Sequence, residues 1–214
     1  MIEEPTNSKV TWNYPKLARV VWVLFILSFL AGLVMQLGGL TLSHRDAGDS
    51  FLWWKGLSII EAISGMTYFL LTPSTLVLIS VYYFLNRKNI GNIALVSSFS
   101  SLSASITWGM HFILHRIAYD HMDVAYAIVY WSMSVILLGI TFFLMGIIYL
   151  KKEPTTLTRL TGISFLVVGF IGVVVGYIGG FTLLPWFTIY DFPWVTTLAI
   201  APCCLALVNS LKGE

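Results

Sequence analysis

The chain is a succession of apolar runs, each long enough to cross a bilayer, and this restricts its fold more than any motif does. The first run, Leu17 to Leu42, is broken only by Arg19 near its start and Gln36 in its last third. A ~30 Å hydrocarbon core needs about 20 apolar residues in a helix, and without water to satisfy the backbone a helix is the form such a run takes. The run exceeds the apolar region of a signal peptide and precedes no small-x-small cleavage site, so it is expected to stay as helix 1. Over 214 residues, 57% are hydrophobic and 10% charged, with mean hydropathy +0.85. A water-soluble domain carries about 25% charged residues, so the fold class is an all-α polytopic membrane protein.

Five further runs follow. Helix 2 is expected over 56–86, with a bend at Thr72-Pro73, where proline removes a backbone donor. Helix 3 is expected over 93–118 after a tight turn holding Arg87 and Lys88, helix 4 over 124–150, and helix 5 over 157–184. Helix 6 follows over 194–211, with Pro202 inside it. Residues 1–16, interrupted by Pro5 and Pro15, form a polar lead-in, and 17–212 form one six-helix domain. Two stripes of small residues suit close helix approach: Ser97, Ser101 and Ser105 on helix 3, and Gly172, Gly176 and Gly180 on helix 5, with Gly162 and Gly169 on a nearby face. Both stripes are candidate surfaces for other membrane subunits.

Six spans put both termini on one side. Nine basic residues fall on that side (Lys9, Lys16, Arg19, Arg87, Lys88, Lys151, Lys152, Arg159, Lys212) and three on the other (Arg45, Lys55, Arg116). The positive-inside rule then places both termini in the cytoplasm and the protein in the cytoplasmic membrane. All four histidines and six of the ten acidic residues fall at or near the opposite face. Net charge of +2 is too small and too scattered for a nucleic-acid surface. Cys203 and Cys204 are adjacent within an apolar run and read as small core residues.

The candidate chemistry gathers near 108–123. His111 and His115 are four apart, a spacing by which one helix offers two imidazoles to a metal ion. Glu61, at a similar expected depth on helix 2, is a third ligand, with His121 or Asp120 closing over from the loop. Such a set suits zinc, copper or iron, in a setting of membrane redox chemistry or a respiratory assembly. It lacks the adjacent Glu of the zinc-protease helix motif, so proteolysis has no support. The plainer reading of the shallow His115 and His121 is hydrogen bonding at headgroup level, and His44 reads as solvated. His111 and Glu61 lie deeper, where an ionisable group is costly and therefore points to function.

Three other uses compete. A b-type haem would need a second imidazole, from His44 or His121. A proton-coupled transporter or solute-binding subunit would use His111 and Glu61 with Tyr126, Tyr130 or Tyr177; opposite three-helix halves with interrupted second members point the same way. The aromatic content (eight Trp, ten Tyr, fourteen Phe) could wall a pocket for an apolar cofactor around Trp108, Tyr126, Tyr130 and Trp131, although belt and packing roles explain most of it. A non-catalytic subunit of a larger complex is the remaining alternative. No nucleotide loop, nucleophile constellation or soluble catalytic domain is legible.

Overall fold

The computed structural model describes residues 14–43, 51–117, 124–152, 155–181 and 197–212, and these residues contain six helices and no strand. α1 (Pro15–Ser43) opens on a proline, whose missing N–H is no loss at a first helical position; the carbonyl of Tyr14 accepts from Ala18 at 3.2 Å. α2 (Phe51–Ile90) and α3 (Asn92–Ile117) are separated by one residue, Gly91, at φ 85°. Its N–H reaches the Arg87 carbonyl at 2.8 Å, and its own carbonyl accepts from Ala94 at 3.0 Å. A side chain would be strained at that φ, so glycine makes the reversal in a single step. Arg87 and Lys88 consequently belong to the last turn of α2 rather than to a loop, and their positive charge there is stabilised by the negative end of the helix dipole.

α4 (Val124–Lys151) is followed by α5 (Thr156–Phe181), which Thr155 caps: its hydroxyl accepts from the Thr158 N–H at 3.1 Å. α6 spans Ile200–Lys212, and the expected start at 194 lies outside the described residues. Thr197 and Leu198 are helical but Ala199 is a turn. Pro202 has no N–H to give the Leu198 carbonyl and its ring crowds that carbonyl, which breaks the helix there. By contrast α2 runs unbroken through Pro73, and α5 runs unbroken through its glycines. The interrupted second members expected of an inverted repeat are therefore absent from α2 and α5.

Each helix packs on the next in chain order, and α6 closes the series against both α5 and α1. The molecule is thus a ring of six helices. Five are long and apolar enough to cross a membrane; α6, with 13 described residues, is apolar but shorter. This is a multi-pass membrane protein. We call the end holding the start of α1, Gly91 and the end of α6 the basal end, and the opposite one the distal end. Apolar side chains such as Val20, Ile63, Phe99 and Phe170 face outward, while Ser28, Thr72, Ser101 and Thr141 are buried. Lipid solvates apolar surface, so the polar groups go inside and find partners there.

The basal half of the ring is filled by aromatic side chains. The Trp22 and Phe165 rings lie 5.7 Å apart, Phe25 and Phe142 5.9 Å, Phe142 and Phe165 5.7 Å, and Tyr149 and Phe165 5.8 Å. These contacts tie α1 to α4 and α5 across the centre.

Both small-residue stripes are taken up within the chain. Gly162, Gly169 and Gly176 on α5 meet Gly146, Gly139 and Ser132 on α4, an antiparallel seam of seven-residue spacing on each helix. A Cβ at Gly139 would lie 2.6 Å from the Val173 nitrogen, and one at Gly176 3.1 Å from the Ser132 carbonyl oxygen. Gly172 faces Gly139 across the same seam, and the surroundings of Gly180 lie outside the described residues. On α3, Ser98, Ser101 and Ser105 donate to the α2 carbonyls of Ser80, Leu76 and Pro73 at 2.9, 2.7 and 2.9 Å. Ser97, expected on that stripe, donates instead to Ile93 of its own helix. The partner subunits expected on these two stripes would meet faces already occupied by α4 and α2.

Candidate metal centre

The inward face of α3 is read directly from burial. Ala94, Ser97, Ser101, Ala104, Trp108 and His111 are buried at alternating steps of three and four, and His111 is 5% exposed. The next step of that series is His115. On α2 the buried series Ile79, Thr75, Thr72, Tyr68 and Gly65 steps in the same rhythm toward the distal end, and its next position is Glu61. The α1 series Trp22, Phe25, Phe29 and Gly32 leads likewise to Gln36. Four polar positions thus share the inward faces of three helices in the distal half. The side chains of Gln36, Glu61 and His115 lie outside the described residues, as do Asp120 and His121 altogether.

Beneath His111 is an aromatic floor. Trp108, one turn toward the basal end, meets Tyr68 edge to face at 5.4 Å, and Phe69 lies 6.3 Å from the same indole. Tyr68 fits because α1 has no side chain at Gly32, where a Cβ would lie 2.9 Å from the ring. The Met35 sulfur fills the corresponding gap opposite Gly65, 3.2 Å from where its Cβ would stand.

Register separates the levels of the proposed ligands. In the serine seam Ser105 meets Pro73 and Ser101 meets Leu76, so continuing both helices sets His111 level with about Thr67, and Glu61 level with about Ile117. Glu61 therefore stands about six residues, or ~9 Å, farther out than His111, and nearer to His115. The expected equal depth of Glu61 and His111 rests on a count from the ends of two helices, whereas the serine bonds between α2 and α3 set the two levels against each other directly.

The aromatic candidates divide. Trp108 is buried in the floor. Tyr130 is half-buried, its carbonyl accepting from Ser134 at 2.7 Å, and the Tyr126 side chain lies outside the described residues. On α4 the buried series Phe142, Leu138 and Val135 steps next to Trp131, whose side chain, like that of Tyr126, lies outside the described residues. Tyr177 is 59% exposed on the outer face of α5, away from any relay through the interior. Cys203 is buried, Cys204 is exposed, and both are free thiols.

Among the described residues no group of three His, Cys, Asp or Glu side chains could hold a metal. Since Glu61, His115, Asp120 and His121 contribute no described side chain, the full set is not on view; nor are His44 and His121, either of which a bis-histidine haem would need. No protein-family model, curated protein or solved structure matches this chain, so its function is argued from its own residues.

Proposed function

We propose that the chain is a membrane protein holding a transition-metal ion in the distal half of its helix ring, with His111 and His115 as the primary ligands. The supporting observation is the burial of His111 at the end of the inward series of α3, with His115 as the next position of that series. Two imidazoles one turn apart on an enclosed face form a bidentate site from one helix. Glu61, nearer the level of His115, supplies a carboxylate from α2, and Asp120 or His121 completes the set from the α3–α4 connection. Charge neutralisation by the ion makes these groups tolerable inside a bilayer, and zinc, copper or iron suits the donor set. The aromatic side chains below close the basal side, so exchange with the ion occurs from the distal face. The biological setting we favour is membrane redox chemistry or a respiratory assembly.

The axial offset of Glu61 and His111 supports a second reading, a proton-coupled transporter in which the two act in sequence rather than on one ion. That reading requires the Trp22–Phe165–Phe142 packing to open during turnover.

Cobalt(II) titration, followed by visible absorption, distinguishes the two. The metal reading predicts saturation near one equivalent in the wild-type chain and loss of the signal in His111→Ala and His115→Ala. An identical titration in His111→Ala would refute the ligand assignment.

A further inference from the structure

The outward faces of the helices carry a second pattern, independent of the interior. On α1 the exposed series Leu30, Leu27, Val23 and Val20 steps by threes and fours to Lys16. The α2 series Val77, Val81 and Phe84 leads to Lys88. On α5 the exposed Val167 and Ile163 lead to Arg159. On α4 the exposed Phe143 and the half-buried Ile147 lead to Lys151, on α6 the exposed Val208 leads to Lys212, and all five cations are exposed. Each of these apolar outward stripes therefore ends on a positive charge at the basal end. On α3 the equivalent position is the uncharged Asn92, one turn before Val96.

Among the described residues three other basal cations stand apart from these stripes, and of them Lys152 is half-buried just beyond α4. The Arg19 guanidinium donates to the Ser210 carbonyl at 3.3 Å, joining α1 to α6. Arg87 lies 3.9 Å over the Phe84 ring and donates to the Phe84 carbonyl at 3.1 Å. The five stripe-end cations instead stand around the perimeter, each beside an apolar surface suited to an acyl chain. A soluble anion would need donors that converge; a ring of separated charges at the edge of an apolar belt matches a ring of lipid phosphates.

We propose that the basal rim recruits a shell of anionic phospholipid headgroups through Lys16, Lys88, Lys151, Arg159 and Lys212. The shell is interrupted at α3, where Asn92 gives no preference. It fixes the basal end at the more anionic leaflet, whatever the distal half binds.

The full-length protein is reconstituted in vesicles of equal phosphatidylglycerol and phosphatidylcholine, extracted in mild detergent, and its retained lipids are counted by mass spectrometry. The ratio of phosphatidylglycerol to phosphatidylcholine in the wild-type shell should be about five times that of the vesicle, the preference that one cation near an anionic surface supports. Enrichment should fall as salt shortens the Debye length from ~10 Å at 0.1 M to ~3 Å at 1 M. Replacing all five cations with Gln should return the shell to the vesicle ratio, and Arg159→Gln alone should lower it. Asn92→Lys should raise it, which keeps the proposal testable if the fivefold variant fails to fold. A wild-type shell at the vesicle ratio, or enrichment that survives the fivefold substitution, would overturn the proposal. So would loss of enrichment to inorganic phosphate at constant ionic strength, which would identify a phosphate site instead.

Discussion

Placing a methyl group in the α4–α5 seam tests the packing that shapes the distal half. At Gly139 an added Cβ would lie 2.6 Å from the Val173 nitrogen and 2.8 Å from the Gly169 oxygen. Ordinary contact begins at 3.4 Å, so the helices must part by roughly 0.8 Å, and both obstructing atoms are backbone that no rotamer change can move. Gly169→Ala meets the same obstacle from the other side, with the Gly139 oxygen at 2.7 Å. Overpacking of this kind costs about 1–3 kcal/mol, and little hydrophobic force between helices in lipid offsets the lost contact. Having parted once, the helices need not part again, so the double variant should cost at least about 0.5 kcal/mol less than the sum of the singles. Gly109 is the control: nothing lies within 4 Å of its added Cβ. Gly109→Ala should stabilise by about 0.5–1 kcal/mol through backbone entropy and helix propensity. The assay is reversible unfolding in mixed dodecyl maltoside and SDS micelles, read by tryptophan fluorescence. Gly139→Ala and Gly169→Ala as stable as Gly109→Ala would refute the close approach of α4 and α5.

Gly91→Ala should cost about 1–2 kcal/mol in the same assay although its Cβ would meet nothing within 4 Å, because the penalty lies in the φ of 85°. Ser101→Ala, which removes a 2.7 Å bond to the Leu76 carbonyl, should cost only about 0.6 kcal/mol, the typical worth of an interhelical hydrogen bond in a membrane. Asn209 donates to the Thr161 hydroxyl at 2.6 Å and so ties α6 to α5. Asn209→Leu should loosen α6 selectively, seen as faster hydrogen exchange in 200–212 than in α4.

Much of this architecture is legible in the sequence because apolar runs longer than a bilayer leave one backbone solution. The positions of the long helices, the turn near Gly91 and the close packing of α5 all follow from that. What escaped reading has physical causes. Lipid makes both faces of a helix apolar, so sequence periodicity does not reveal which face turns inward; burial of Trp108 and His111 does. Gly139 and Gly146 are seven apart on α4 and their role is visible once α5 is laid against them, since a glycine seam needs both partners. Of the expected serine stripe, Ser101 and Ser105 bond α2, but the third bond comes from Ser98 while Ser97 turns to its own helix, because spacing alone does not show which carbonyl a buried hydroxyl reaches. Pro73 and Pro202 look alike in sequence, yet only the helix at Pro202 breaks, in the described residues beside Ala199. The relative depth of Glu61 and His111 is set by the register of α2 against α3, which the serine bonds show and a count from helix ends does not.

The claim that the distal half holds a metal ion is tested most directly by elemental analysis of protein purified in mild detergent without an affinity-metal step. The account predicts about one equivalent of zinc, copper or iron in the wild-type chain and none in His111→Ala of equal helicity. Metal-free wild-type protein, or full stoichiometry in His111→Ala, would contradict it.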